Sequence, residues 1–213
     1  MTDAFDADRP TPRWDELADR PPPWTDAGDS LVFENPWMQL TRHDATAPTG
    51  APADYIVMRP RNLAVGVLPI HDDGTVTLVG QQRFALRNWS WEMPEGGAPF
   101  DENPLDGCKR ELAEEAGLTA AHWRLALKAE LSNSVTDERG MTWLAWGLGE
   151  TETAPDPTEV LRVARVPFRQ LLHEVARGSI RDMLTLATTL RAYHMAREGE
   201  LPVELAQAML QEL

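Results

Sequence analysis

Short apolar segments rich in β-branched residues recur along this chain and predict the strands of a sheet. Residues 63–70 (LAVGVLPI) and 75–83 (TVTLVGQQR) are the first two, and the HDDG stretch between them is typical of a hairpin turn. Two later segments space their apolar residues at helical intervals. The remaining predicted strands are 123–131, 141–148 and 160–166, and the predicted helices are 167–178 and 181–198.

The order of these segments predicts an α/β fold, a sandwich in which helices pack on a mixed sheet. In front of it, residues 30–60 carry strand-like runs bounded by Pro, Gly and Asp, which predict a small antiparallel β unit. Residues 1–29 are rich in Pro, Asp and Arg without periodicity and predict an extended or disordered arm. The main domain is assigned to 61–198, and 199–213 to a short helix that begins near Pro202.

A further helix is predicted just after Asn103, within the stretch 89–118 that also contains a Gly-Gly loop. Asn103 suits the N-cap, Pro104 the first helical position, and Gly117 the residue past the C-terminus. Leu105, Cys108 and Leu112 fall on one stripe at helical spacing, so we expect this stripe to face the core. Cys108 is therefore interpreted as a small core residue rather than a nucleophile.

Three glutamates crowd onto the same predicted helix. Glu111 and Glu115 are four residues apart and share one face, and Glu114 lies on the adjacent flank. Their mutual repulsion destabilises a bare helix, whereas a hard divalent cation such as Mg²⁺ prefers oxygen ligands and would convert repulsion into ligation. The alternative is a solvated acidic helix face, which is the commoner meaning of a run of charges.

Charge and composition argue against several classes of protein. The net charge of −14 and the pI near 4.7 argue against a nucleic-acid-binding protein, for which a basic face is expected. A single cysteine excludes an intrachain disulfide framework and fits a reducing compartment. No apolar run reaches the length of a membrane span, and the acidic N-terminus lacks the apolar core of a secretory signal. We expect a cytoplasmic protein.

The full spacing around the three glutamates distinguishes the two interpretations. Gly96 is followed after five residues by Glu102, and after seven more by Arg110-Glu111-Leu112-x-Glu114-Glu115-x-Gly117-Leu118. Even without the two leucines, the remaining seven residues at this spacing match by chance about once in 10⁸ starting positions, at average residue usage. The segment resembles the complete Nudix box, the signature of the Nudix hydrolases.

Beyond the box, roughly residues 31–195 resemble one branch of that family, the ADP-ribose pyrophosphatases and nucleoside-diphosphate-sugar hydrolases. The run QQRFALRNWSWEMPEGG is similar to the Q-x-R…W-E-x-P-x-G run of that branch, and the SNSVTDE loop and the acidic loop before PTEVLRV follow at the expected distances. The resemblance implies a Mg²⁺-dependent enzyme, with Mn²⁺ as a second possibility. Its substrate would be a nucleoside diphosphate sugar, and the enzyme a homodimer that exchanges the β unit between subunits.

The resemblance also implies roles for individual residues. Glu111 and Glu115 correspond to direct metal ligands, Glu114 to a ligand acting directly or through water, and the backbone carbonyl of Glu95 to a further ligand. Arg83 corresponds to a contact of the diphosphate, for which a planar guanidinium is well suited; its alternative is an ordinary surface charge. The structural members of the motif are Gly96, Gly117 and the pair Glu102 and Arg110, which would brace the loop against the helix.

The catalytic base of that branch is a glutamate in the loop before the late strand, and Glu159 matches that position best. Glu150, Glu152 and Asp156 stand in the same acidic loop as alternatives, and an ordinary solvated loop is the other interpretation. Glu138 resembles a substrate-contacting glutamate of the family and is a second candidate for the base.

Two aromatic residues of the β unit, Trp37 and Tyr55, align with positions that sandwich the nucleobase in relatives; Trp37 has a core or dimer-interface residue as its alternative. The chain departs from the stricter ADP-ribose pattern, because Ser132-Asn133-Ser134-Val135 lacks the proline often found after the box. Other nucleoside diphosphate sugars therefore remain open as substrates. Two further functions are left open: a ligand-sensing Nudix module without turnover, and a nucleoside triphosphate pyrophosphohydrolase.

Overall fold

The computed structural model describes residues 22–154, 158 and 160–211. The described chain forms two compact units. The N-terminal unit runs up to Arg61 and includes the later segment Ser132–Asp137. The larger unit contains Asn62–Leu131 and the chain from Glu138 onwards.

Ten strands and four helices make up these units. The strands are β1 (Thr25–Glu34), β2 (Met38–Thr46), β3 (Pro52–Pro60), β4 (Asn62–Pro69), β5 (Thr75–Arg83), β6 (Asn88–Glu92), β7 (Glu95–Pro99), β8 (Leu118–Glu130), β9 (Arg139–Glu150) and β10 (Arg162–Pro167). The helices are α1 (Pro104–Ala116), α2 (Phe168–Ala176), α3 (Met183–Arg197) and α4 (Val203–Leu210).

The N-terminal unit is a three-stranded antiparallel sheet in the order β1-β2-β3. Its first strand begins at Thr25, earlier than Ser30, where the sequence pattern placed the start of the β unit. Cross-strand pairing explains the difference, since Asp26 on β1 lies 2.7 Å from His43 Nδ1 on β2. The segment Ser132–Asp137 attaches to β3, where Arg59 forms an ion pair of 2.7 Å with Asp137.

The larger unit contains two sheets with the strand orders β10-β5-β6 and β7-β4-β9-β8. The second is mixed, because β4 runs parallel to β9 and antiparallel to β7. The chain passes from one sheet to the other between β6 and β7, through the two residues Met93 and Pro94. This short crossing is what brings the end of β6 and the start of β7 together.

Alternating residues of the mixed sheet face two apolar layers. Leu68 on β4 and Leu144 on β9 belong to the core cluster that the sheet forms with α2, α3 and α4, which includes the fully buried Phe168 and Met195. The intervening residues, such as the fully buried Val65, lie outside that cluster. Helix α1 packs on β4, β7 and β8. The mixed sheet is therefore sandwiched between helices, as the sequence predicted.

Local signals set the bounds of α1 as predicted. The side chain of Asn103 accepts a hydrogen bond of 2.9 Å from the backbone N–H of Leu105, which satisfies one of the free donors at the helix start. Gly117 ends the helix with a φ of 64°, a left-handed conformation that favours glycine. None of the described helices is both long and apolar enough to cross a membrane.

Candidate active site

Helix α1 presents two of its glutamates to the inside of the larger unit. Glu111 and Glu115 are both buried, with relative exposures of 9% and 5%, and they lie on the same side of the helix as the fully buried Cys108 and Leu112. Burial of unpaired carboxylates is costly, so their presence here requires compensating partners. Neighbouring backbone and arginine groups supply part of that compensation.

Strand β7 brings its backbone directly against these carboxylates. A Cβ atom at Gly96 would lie only 2.6 Å from Glu111 Oε2, so glycine alone leaves room for the carboxylate at this position. One residue earlier, the backbone N–H of Glu95 donates a hydrogen bond of 3.0 Å to Glu115 Oε2. The backbone segment that carries the proposed ligating carbonyl of Glu95 is thus fixed to one of the proposed carboxylate ligands.

Arg110 connects the helix to the loop that precedes it. Its Nη1 donates to Glu111 Oε1 at 2.7 Å and to Glu114 Oε2 at 3.0 Å, and its Nη2 donates to the carbonyl of Gly97 at 2.9 Å. Glu102 lies 3.5 Å from the same Nη2. The guanidinium therefore contacts two candidate ligands and the strand backbone at once. The bracing role of Arg110 and Glu102 stays a prediction, and these contacts support it.

A second acidic group adjoins the first and was not predicted from the sequence. Oxygen atoms of Glu92, Glu95 and Asp182 lie within 4.8 Å of one another. Glu92 ends β6, and Asp182 is the N-cap of α3, where its Oδ1 accepts from the backbone N–H of Thr185 at 2.7 Å. Glu92 is part of the W-E-x-P run, but the sequence pattern gave no sign that α3 returns to it.

The Glu95 carboxyl stands out in this group. Its Oε2 is buried and has no hydrogen-bond partner within the part of the chain that the structure describes. Burial raises the pKa of Glu95 well above its usual value, and the charges of Asp182 and Glu92 raise the pKa further. Carboxylate oxygens of this kind are the ligands that Mg²⁺ prefers. The carboxylate oxygens of Glu92, Glu95 and Asp182 are therefore of the chemical type that binds a divalent cation.

Arg83, predicted to contact the diphosphate, pairs with this acidic group. Its Nε donates to both carboxylate oxygens of Glu92 at 3.0 Å, and its Nη2 donates to Glu95 Oε1 at 3.1 Å. The Arg83 side chain is 37% exposed, so these contacts do not bury it completely. Arg83 is the last residue of β5. Its role as a contact of the diphosphate, rather than as a surface charge at a strand end, stays a prediction.

Glu138 is displaced from Glu95 along the strands of the mixed sheet. Glu95 and Thr142 are both register partners of Gly66 on β4, and Glu138 precedes Thr142 by four residues. At about 3.3 Å per strand residue, this separates the two positions by roughly 13 Å along the strands. Within one chain, the structure does not bring Glu138 into the carboxylate cluster. Burial raises the pKa of Glu138.

The two aromatic candidates for nucleobase binding lie in the N-terminal unit. Trp37 is 73% exposed, so the alternative of a core residue within this chain is wrong. Tyr55 packs edge to face on Trp24 at a centroid distance of 5.6 Å, and its hydroxyl donates to the carbonyl of Ser134. Their role in stacking stays a prediction.

Comparison with known proteins decides the family. A family model described as the NUDIX domain matches residues 60–186. The chain belongs to the Nudix family. This domain begins where the larger unit begins and includes the helix with the three glutamates.

Two curated Nudix relatives extend over most of the chain. The ADP-ribose pyrophosphatase of Mycobacterium tuberculosis is 29% identical over 140 residues, which cover 64% of this chain and 67% of that protein. The ADP-ribose pyrophosphatase of Bacillus subtilis is 30% identical over 157 residues, 72% of this chain and 84% of that protein. A crystal structure described as an ADP compounds hydrolase superposes with a TM-score of 0.74 at 17% identity. The superposition covers 86% of this chain and 100% of the chain in that crystal structure, and it shows that the two proteins share a fold.

These findings confirm the predicted Nudix family and the α/β class with a preceding β unit, and they identify the protein as a Nudix hydrolase enzyme. The roles of the individual site residues stay predictions. Glu159, the preferred candidate for the base, and its neighbour Asp156 lie outside the described residues.

The beginning of the acidic loop is described and lies at the end of the Nudix helix. The backbone N–H of Thr151 donates to the carbonyl of Gly117 at 2.9 Å, and that of Ala154 donates to the carbonyl of Glu114 at 3.2 Å. The loop that carries the candidate bases thus starts at the same end of α1 as Glu114 and Glu115.

Proposed function

We propose that this Nudix hydrolase cleaves the diphosphate linkage of a nucleoside diphosphate sugar, with ADP-ribose as the first candidate. Water would split the P–O–P anhydride into a nucleoside monophosphate and a sugar phosphate. The observation that carries the proposal is the convergence of Glu111 and Glu115 on the backbone of Glu95 and Gly96, because it gathers oxygen ligands on a rigid helix and strand. The names of the two curated relatives support ADP-ribose as substrate.

The proposed role of each site residue follows from the chemistry of its side chain or backbone. Glu111 and Glu115, with Glu114 and the Glu95 carbonyl, would hold Mg²⁺ or Mn²⁺, and the bound cation would neutralise the diphosphate and polarise its oxygens. Arg83, which is partly exposed, would donate to the diphosphate, as a planar guanidinium suits phosphate oxygens. A loop glutamate, with Glu159 preferred, would take the proton of the attacking water.

The proposal is tested by phosphate release with Mg²⁺ from ADP-ribose, ADP-glucose, GDP-mannose and UDP-glucose, coupled through alkaline phosphatase, and from dGTP, coupled through inorganic pyrophosphatase because alkaline phosphatase attacks a triphosphate directly. We expect selective release from one diphosphate sugar, with ADP-ribose the first candidate. Release from dGTP alone would replace the proposal by a triphosphate pyrophosphohydrolase. No release from any compound, together with thermal stabilisation by one of them, would contradict the proposed reaction and favour a ligand-sensing role.

Replacement of Glu159 by glutamine is expected to lower kcat by about 10²-fold, within the range that general base catalysis contributes. The dissociation constant of the substrate should change little, since the base acts on the water rather than on the substrate. Steady-state kinetics and calorimetric binding of the substrate measure the two effects separately. Glu152→Gln, which changes an alternative candidate in the same loop, is the comparison and should keep the wild-type rate if Glu159 is the base. A wild-type rate in Glu159→Gln would move the base to Glu138 or a loop neighbour.

We also propose a homodimer formed through the N-terminal unit. Every residue of β1 is exposed, including Leu31, Val32 and Phe33, and β1 is an edge strand with one unpaired side in the described sheet. Such an edge is a ready surface for another chain. A second copy of this chain is the occupant that the resemblance to dimeric relatives implies.

Light scattering coupled to size exclusion is expected to give the mass of a dimer for the wild type at micromolar concentration. Phe33→Glu should shift the protein towards monomer, because it places a charge in the apolar surface of β1. Val203→Glu, which changes an exposed apolar residue on α4, should leave the dimer intact. A monomeric wild type would remove the model of a site shared between subunits.

A further inference from the structure

The crossing between the two sheets of the larger unit determines where the Glu95 backbone lies. β6 pairs with β5, whereas β7 pairs with β4, and only Met93 and Pro94 separate β6 from β7. A shift of this crossing would move the start of β7. The two proposed metal-site elements on β7, the Glu95 carbonyl and the Gly96 contact with Glu111, would move with it.

Hydrogen bonds hold the crossing from two sides. On one side, the backbone N–H of Val67 on β4 donates to the carbonyl of Pro94 at 2.9 Å. On the other side, the backbone N–H of Met93 donates to the hydroxyl oxygen of Thr185 on α3 at 3.0 Å. Both Met93 and Thr185 are fully buried, so water does not replace this bond in the folded chain.

Thr185 is itself held firmly at the start of α3. Its backbone N–H donates to the N-cap carboxylate of Asp182 at 2.7 Å, and its carbonyl accepts from the hydroxyl of Thr189 at 2.7 Å. The first turn of α3 is thus fixed on both sides of Thr185. A hydroxyl in this setting is a fixed acceptor for the Met93 N–H rather than a mobile one.

We propose that Thr185 is a positioning residue for the metal site of this enzyme. Its hydroxyl fixes Met93, the crossing passes that constraint to Glu95, and the Glu95 backbone holds Glu115 through the bond of 3.0 Å. The inference rests on the proposed function, in which the Glu95 carbonyl and Glu115 bind the cation. Thr185 acts through the backbone of the crossing rather than as a ligand of the cation.

Thr185→Val is the decisive variant, because valine keeps the shape of threonine and removes only the hydroxyl. The same helix offers a matched control in Thr188, which is also fully buried and donates a hydrogen bond of 2.7 Å to Thr142 on β9. Thr188→Val breaks a buried bond between α3 and the sheet that does not involve the crossing. Both variants are expected to lower Tm to a similar degree.

Metal affinity is the readout that distinguishes positioning from general stabilisation. We expect Thr185→Val to weaken the binding of Mn²⁺ alone, followed by the EPR signal of the free ion, by about 10-fold, the lower end of the effect of groups that orient ligands. The Mg²⁺ concentration for half-maximal activity should rise by a similar factor. Thr188→Val should bind Mn²⁺ as the wild type does, and Thr185→Ser, which keeps the hydroxyl, should restore wild-type affinity.

The outcomes separate this inference from the proposed reaction. Wild-type Mn²⁺ affinity in Thr185→Val, or equal weakening in both valine variants, would overturn the positioning role. If the wild type cleaves none of the five nucleotides yet Thr185→Val still weakens Mn²⁺ binding relative to Thr188→Val, the proposed reaction fails and the positioning role stands. Thr185→Ala replaces the valine variant in the same comparison if the latter does not fold.

Discussion

Replacement of Glu115 by glutamine is expected to lower kcat by about 10³-fold at saturating Mg²⁺ while the fold stays intact. The loss reflects one charged ligand, since the stabilisation that a metal site gives to a phosphoryl transition state is worth several kcal/mol and each 1.36 kcal/mol corresponds to a tenfold change in rate. The fold should survive because the amide oxygen of glutamine can still accept the 3.0 Å hydrogen bond from the Glu95 N–H.

Asp106→Asn is the matched control for this experiment. Asp106 lies on the same helix but is exposed, and its carboxylate pairs with Lys109 at 2.9 Å. Single-turnover kinetics on the substrate selected by the nucleotide panel, together with Tm and circular dichroism, should show a loss of rate in Glu115→Gln alone. A kcat near that of the wild type in Glu115→Gln would exclude Glu115 as a direct ligand.

The sequence predicted the Nudix helix well because its signals are local. Asn103, Pro104 and Gly117 each act within one turn of the helix end, and their preferences are properties of the backbone rather than of the fold. The burial of Cys108 and Leu112 follows equally from spacing along one helix. The box residues on α1 are therefore placed relative to one another without knowledge of the sheet, whereas the approach of Gly96 to Glu111 depends on the packing of β7 against α1.

The sequence did not predict contacts that depend on how distant segments return to the site. Asp182 comes within 4.8 Å of the Glu92 and Glu95 oxygens only because α3 packs beside the crossing between β6 and β7. The hydrogen bond from Met93 to Thr185 joins residues 92 positions apart. No periodicity or cap marks such a pair, since each residue also satisfies an ordinary local pattern, Asp182 as an N-cap and Thr185 as a buried helix residue.

The residue at which β1 starts also depends on contacts with another segment rather than on local signals. The Pro-rich and acidic composition before Ser30 is typical of an arm, and composition alone cannot show that β2 offers partners for residues 25–29. Thr25 pairs with Thr46, and Asp26 contacts His43, so these residues form the start of a strand rather than part of an arm. Cross-strand partners, rather than local propensity, determine this boundary.

Replacement of Gly96 by alanine is expected to reduce kcat/KM by about 10³-fold, nearly as much as the loss of a ligand. The added Cβ would lie 2.6 Å from Glu111 Oε2, so the carboxylate has to leave its place against the strand. The cause is steric, because the φ of Gly96 is not among the positive values and alanine can adopt this backbone. Displacement of one carboxylate ligand removes several kcal/mol of transition-state stabilisation, which corresponds to the stated factor.

Gly97→Ala provides the control, since the two glycines are neighbours on β7 but meet different atoms. A Cβ at Gly97 would lie 2.7 Å from Nδ2 of Asn62, the end of an exposed side chain that can rotate away, whereas Glu111 is buried and held by Arg110. We therefore expect Gly97→Ala to keep kcat/KM within about 3-fold of the wild type, a change of under 1 kcal/mol. Equal kcat/KM values for the two alanine variants would show that the place of the Glu111 carboxylate against the β7 backbone does not matter for the reaction. If only Gly96→Ala loses kcat/KM, and it also requires more Mg²⁺, the position of the Glu111 carboxylate against β7 is part of the metal site.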